Sequence, residues 1–140
     1  RFIELATDIN GNMPRFVVQK LSKLMNDQGK ALKGSRILLL GMAYKPNIND
    51  LRESPGLDIW QLLDQEWGAE VVYYDPYIPH LHEFNADSIE LTNEELNQAD
   101  AVVIVTNHKD FDYDRVCQHA KLILDARHAI KDDHDNVTRL

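Results

Sequence analysis

Tyr44, Lys45 and Arg52 lie in the stretch "GMAYKPNINDLRESP" (Gly41 to Pro55), and Arg127 directly follows the apolar run "KLILDA". A tyrosine offers a flat face for stacking, a lysine a compact point charge, and an arginine a planar fork that matches phosphate oxygens. Together these types suit an anionic ligand that carries a ring. Asp50 and Glu53 flank Arg52 and are placed to orient it. The stretch is not a glycine-rich phosphate loop. "GMAYKP" lacks the second and third glycines through which a backbone approaches a pyrophosphate, and Tyr44 stands where a Walker loop has the glycine before its lysine. Any grip on an anion must come from side chains. From these residues alone the alternative is an ordinary loop with surface ion pairs, which contribute little.

Other chemically able residues are weaker candidates. His80, His82 and Glu83 are close enough to suggest a metal site, but no third well-spaced ligand follows, so a solvated turn is expected. His108 follows an apolar run and is expected on a cleft rim, with no triad partner in view, and His128 neighbours Arg127. The single cysteine, Cys117, falls within a helical pattern and reads as a small buried hydrophobe. Trp60 and Trp67 share a helix and read as packing. Asp132, Asp133 and Asp135 read as a solvated tail.

The elements that must position the loop residues follow from periodicity. Phe2, Leu5, Ala6, Ile9, Val17, Val18, Leu21, Leu24 and Met25 recur at three- and four-residue spacing, giving an amphipathic helix over 1 to about 28. Gly11 and Pro14 are expected to bend or break it, and Gly29 and Gly34 to close it, with a boundary near residue 34. "RILLLG" (36–41), "AEVVYYDP" (69–76), "AVVIVT" (101–106) and "KLILDA" (121–126) read as strands, the last being the final one. Ser54 with Pro55 starts a helix whose face is Leu57, Trp60 and Leu63, widened by Ile59 and Leu62 and stopped by Gly68. Thr92 with Glu95 forms a capping-box pattern, and Asp112 caps a helix carrying Val116 and Cys117. Alternating strands and helices predict an α/β fold, a doubly wound Rossmann-like parallel sheet preceded by the amphipathic helix. Ligands of such sheets sit beyond the carboxyl ends of the strands, which selects the loops after Gly41, Thr106 and Asp125.

Composition bounds the rest. The 44% hydrophobic and 27% charged residues fit one ordinary core. No apolar run approaches the roughly 20 residues of a membrane helix, and no signal pattern opens the sequence, so a cytoplasmic protein without a membrane partner is expected. One cysteine excludes an internal disulfide and paired-thiol redox chemistry. The net charge of −8 is uneven: residues 1–60 carry 9 Lys/Arg against 6 Asp/Glu, and residues 61–140 carry 6 against 17. An anion site belongs with the first half. The basic residues are dispersed and no groove-reading motif occurs, so no nucleic-acid partner is expected.

The pattern glycine, two residues, aromatic, lysine, then Asp50, one residue and "RESP" resembles the C-terminal, UDP-binding domain of the UDP-glucose/GDP-mannose dehydrogenase family, the nucleotide-sugar 6-dehydrogenases. "YYDPYIP" (73–79), "TNHKDF" (106–111) and "ILDARH" (123–128) follow in the family's order, and "ELATDINGNMPRFVVQKL" resembles the end of its central helical dimerisation segment. The resemblance implies residues 1–34 as the end of that segment and 35–140 as the nucleotide-sugar-binding domain. It implies that Tyr44, Lys45 and Arg127 contact the UDP-sugar and that Arg52 reaches the NAD side of the cleft. It also implies two NAD-dependent hydride transfers that turn a UDP-hexose or UDP-N-acetylhexosamine into the uronic acid for polysaccharide biosynthesis. The NAD domain and the catalytic cysteine motif have no counterpart here, so this chain is expected to carry no catalytic residue and to be an inactive fragment that dimerises through its N-terminal helix. The loop leans towards the UDP-N-acetylhexosamine branch. The rival readings are a receiver-like module, which needs acids at the end of a first strand that here runs "LLLGMA", and a dimerisation module without catalytic role.

Overall fold

The computed structural model describes residues 2–43 and 54–140, with side chains from Met13 onward. Arg36–Leu40 forms β1, the strand about which the fold is organised. Four consecutive apolar residues, Ile37 to Leu40, are each fully buried, as a strand covered on both faces requires. Ile37 and Leu39 join one apolar cluster, with Val17, Val18, Leu21 and Met25 of α1 (Phe2–Asp27) and with Ile59, Trp60 and Leu63. Leu38 and Leu40 join the other, with Leu96 of α3 (Asn93–Gln98) and Val116 of α4 (Tyr113–His119). The two-residue period of a strand thus builds a three-layer α/β/α molecule.

The main sheet has the order β2-β1-β5-β6-β7, all parallel, with β2 at Glu70–Tyr74, β5 at Ala101–Ile104, β6 at Ile123–Asp125 and β7 at Val137–Arg139. A short antiparallel pair, β3 (His80–Leu81) and β4 (Ala86–Asp87), is inserted after β2. Helix α2 (Pro55–Gln61) starts where Ser54 and Pro55 place it, with the Ser54 hydroxyl accepting from Gly56 N–H. It runs on as a π-helical segment, Leu62–Glu66, before Gly68 at φ +69°. The wider turn sets Ile59, Trp60 and Leu63 on the core face and leaves Leu57 and Leu62 half-buried. Thr92 accepts from Glu95 N–H, but the Glu95 carboxylate does not complete the box and instead takes Arg36 Nη2 at 2.9 Å. Asp112 caps α4 by accepting from Arg115 N–H.

Three sequence expectations are corrected. Helix α1 is not broken at Gly11 or Pro14 and continues to Asp27. An interior proline costs about 3 kcal/mol, and burial of Val17, Val18, Leu21 and Met25 at about 1.5–3 kcal/mol each outweighs it. The helix ends in a Schellman motif, Lys30 N–H to Met25 O and Gly29 N–H to Asn26 O, with Gly29 at φ +74°. "KLILDA" is not the last strand, because β7 adds to its free edge through backbone pairing that hydropathy does not encode. Trp67 is not packed in the core: it is 37% exposed, whereas Trp60 stacks on Phe84 at 5.1 Å.

Among the described residues no helix is long and apolar enough to cross a membrane. At the end of β1, Gly41 has φ +93°, and a Cβ there would lie 2.5 Å from Thr106 Cβ and 2.7 Å from Thr106 O. Gly41→Ala combines left-handed strain with a backbone clash and is expected to destabilise the protein by about 2–5 kcal/mol. Urea unfolding midpoints measure this, and an unchanged midpoint would show that β1 and β5 do not meet so closely.

Candidate functional site

The strand order reverses between β1 and β5, so a crevice opens beyond their carboxyl ends. Its floor is Gly41–Ala43 on one side and Val105–His108 on the other. Leu40 O accepts from Val105 N–H and Thr106 N–H, and Thr106 Oγ1 donates to Ala43 O at 2.6 Å. Ser54 Oγ donates to Met42 O at 2.5 Å, so the base of the loop that begins after Ala43 is pinned to the start of α2.

Asp75, immediately after β2, organises this floor. Its Oδ2 accepts from Met42 N–H at 2.7 Å, Ala43 N–H at 2.9 Å and His108 Nε2 at 2.9 Å, and its Oδ1 accepts from Tyr77 N–H at 2.8 Å. A carboxylate only accepts, so the His108 proton on this bond sits on Nε2. Both side chains are fully buried. Burial opposes the charge on Asp75, yet the bonds from His108, Met42, Ala43 and Tyr77 together outweigh it and hold the carboxyl below its ordinary value. The Tyr77 ring lies 4.7 Å from that of His108, and the Tyr113 hydroxyl, with its pKa pushed up to about 12 by burial and by Asp125, donates to His108 O.

Asp125 plays the matching part at the end of β6. Its Oδ1 accepts from Arg127 N–H at 3.1 Å and Ala129 N–H at 3.0 Å, and its Oδ2 from Ile130 N–H at 2.8 Å. Arg127 is exposed, and among the described residues no carboxylate lies within ion-pair distance of its guanidinium. β6 adjoins β5, so Arg127 stands on the far side of β5 from the loop that follows β1.

Other candidates carry less. His108 is not on a rim but buried beneath the crevice, and it does have an acidic partner, Asp75. His80 Nδ1 lies 2.6 Å from Asp87 Oδ1 across the β3–β4 pair, and no cluster able to hold a metal occurs among the described residues. Cys117 is half-buried rather than buried, and burial, followed by the charges of Asp114, Asp125 and Asp132, pushes its thiol up, the reverse of an activated nucleophile. Larger surface grooves run between α1 and the π-helical segment, lined by Arg15, Gln19, Leu62, Glu66 and Trp67. Arg15 there is paired with Glu66 at 3.2 Å, whereas Arg127 has no such partner among the described residues.

Residues 38–132 match the UDP-binding domain of the UDP-glucose/GDP-mannose dehydrogenase family. The chain belongs to that family. It is 38% identical over 115 residues to a UDP-N-acetyl-D-mannosamine dehydrogenase of Campylobacter jejuni, an alignment covering 79% of this chain and 27% of that protein. It is 31% identical over 141 residues to a UDP-glucose 6-dehydrogenase of Rhizobium meliloti, covering 95% of this chain and 31% of that one. The solved UDP-D-ManNAc dehydrogenase of Pyrococcus horikoshii superposes with a TM-score of 0.80 at 27% identity, over 98% of this chain and 32% of that chain. An NDP-N-acetyl-D-galactosaminuronic acid dehydrogenase from Methanosarcina mazei Go1 shares the fold with a TM-score of 0.84 at 23% identity, over 100% of this chain and 31% of that chain. The chain spans less than a third of the length of these two curated relatives.

Of the residues singled out in the sequence, Tyr44, Lys45 and Arg52, with Asp50 and Glu53, lie outside the described residues. Sequence reasoning missed Asp75, Thr106 and His108 as the floor and Asp125 as the support of Arg127. The available signal was an aspartate closing each of two apolar strands, "YYD" and "ILD", where a charge with no partner could not be buried.

The lowered pKa of Asp75 fixes the sign of a pH effect. Its stabilisation is present above the unfolded value of about 3.9 and is lost as pH falls through the lower native value. Asp75→Asn is expected to lose about 3 kcal/mol at pH 7 and to show a flatter loss of stability on acidification. Denaturant titrations from pH 7 to pH 3 test this, and parallel acid limbs in the two proteins would contradict it.

Proposed function

We propose that this chain is the UDP-sugar-binding part of an NAD-dependent nucleotide-sugar 6-dehydrogenase that oxidises a UDP-hexose or UDP-N-acetylhexosamine to the uronic acid, in the service of polysaccharide biosynthesis. The observation that carries it is the exposed Arg127, free of ion pairs among the described residues and held at a strand end beside the switch point. Arg127 and Lys45 together offset the pyrophosphate charge, and Tyr44 contacts the nucleotide-sugar. Arg52 reaches towards NAD. Similarity to the UDP-N-acetyl-D-mannosamine dehydrogenases of Campylobacter jejuni and Pyrococcus horikoshii supports a UDP-N-acetylhexosamine over UDP-glucose. Hydride transfer belongs to the part of the relatives that this chain does not span, so residues 35–140 bind and orient while catalytic residues lie elsewhere, in a cytoplasmic enzyme.

Residues 1–34 are proposed to form a homodimer contact. Phe16 on α1 is 55% exposed, which leaves apolar area for a second copy to cover. A light-scattering mass equal to one 16.1 kDa chain across a concentration series would sink this.

Calorimetric titration with UDP and with GDP tests the site. UDP is expected to bind more tightly, and Lys45→Ala and Arg127→Ala each to weaken it by about 1–3 kcal/mol. Equal affinity in both variants and the parent removes the site. With any nucleotide-sugar and NAD the chain alone is expected to produce no NADH, and measurable turnover would show that it carries catalytic groups of its own.

A further inference from the structure

The loop from Ala126 to Lys131 is wrapped around one buried carboxylate. Asp125 is fully inaccessible, yet its two oxygens take three backbone N–H groups of that loop, those of Arg127, Ala129 and Ile130, at 2.8–3.1 Å. The bonds to Arg127 go to its main chain and not to its guanidinium. The arginine is therefore fixed at its base while its charge is not neutralised by the acid two residues before it. Within the loop Lys131 Nζ donates to His128 O at 2.8 Å, and from outside it Arg139 Nε of β7 donates to Ile130 O at 2.8 Å and Leu140 O accepts from His128 Nε2. Between them His128 is held at φ +56°, a left-handed conformation uncommon for residues with a Cβ, although histidine adopts it more readily than most. The same device occurs at the end of β2, where Asp75 grips Met42 and Ala43 N–H. A structural aspartate that merely neutralised a cation would not be built this way twice at the ligand end of one sheet.

We propose that Asp125 is the positioning residue for Arg127: by holding the Arg127, Ala129 and Ile130 N–H groups it aims an unneutralised guanidinium over the strand ends, and the affinity for the diphosphate of a nucleotide depends on that aim. This rests on the reading of Arg127 as a UDP contact and adds to it the residue through which the contact is set. Asp125 itself is buried and touches no ligand. Replacing it with asparagine keeps the shape but removes the charge and turns an N–H₂ group towards one or more of the backbone donors, so the loop must shift. A shift at the base of a long side chain is enlarged at its tip, and pre-organisation of the charge is lost.

The test is a double-mutant cycle read by UDP titration of four proteins: the parent, Asp125→Asn, Arg127→Ala and the double variant. Asp125→Asn is expected to raise the Kd for UDP about tenfold in the parent and less than about twofold when Arg127 is already alanine. The same factor in both backgrounds, or no change in either, means that Asp125 supports the fold only and overturns the inference while leaving the site intact. Unchanged affinity in Arg127→Ala overturns the reading of the site and the inference with it. Circular dichroism and thermal melting establish that each variant is folded. Should Asp125→Asn fail to fold, His128→Gly takes its place, since glycine accepts the left-handed backbone without strain but loosens the loop. His128→Gly is expected to weaken UDP about threefold in the parent at little change in melting temperature, and not at all in Arg127→Ala. Unaltered affinity in the parent overturns the proposal.

Discussion

A buried carboxylate with every near donor in place is the constraint on which the ligand end of this protein rests. Asp75 sits at the end of β2, an edge strand, and reaches across to the main chain that leaves β1 and to a histidine that follows β5. Three strands are thus tied at one point. An isolated carboxylate could not remain ionised there, and its cost would be several kcal/mol. Four hydrogen bonds make it tolerable, and because two of them come from the Met42 and Ala43 N–H groups of the chain leaving β1 they also fix where the following loop starts. The charge that would repel an anion is thereby enclosed beneath the strand ends.

Charge is distributed to the same end. The excess of acids in residues 61–140 lies largely on exposed positions such as Glu90, Glu94, Asp110 and Asp132 to Asp135, while the two acids closest to the strand ends, Asp75 and Asp125, are buried and hydrogen-bonded. Exposed acids in water are screened within about 10 Å at ordinary salt. A net charge of −8 is therefore compatible with local binding of an anion. Cys117, though reactive by type, sits where burial and neighbouring acids disfavour a thiolate, and no cluster able to hold a metal occurs among the described residues.

Membership of the UDP-glucose/GDP-mannose dehydrogenase family gives this geometry its sense. A binding half need hold only a nucleotide and present it, and for that a rigid sheet end with loops fixed at their bases is sufficient. Close contact of Gly41 with Thr106 holds the ends of β1 and β5 together.

Much of this was written locally in the sequence. The runs "ILLL" and "AVVIV" determine buried parallel strands because only full burial on both faces explains unbroken apolar stretches, and Ser54, Thr92 and Asp112 determine helix starts because each caps donors within three residues of itself. The loops that matter follow from the strand ends, and Arg127 is legible as a charge placed after one of them. Tertiary structure decided what depends on partners distant in sequence. Asp75 meets Met42, Ala43 and His108 about 33 residues away on either side, and no periodicity marks such a meeting. β7 is chosen by backbone pairing to β6, and the continuity of α1 through Pro14 by the core it covers. Local sequence fixes a residue's conformational preference, but whether a buried charge becomes a defect or an anchor is decided by the donors that the fold brings to it.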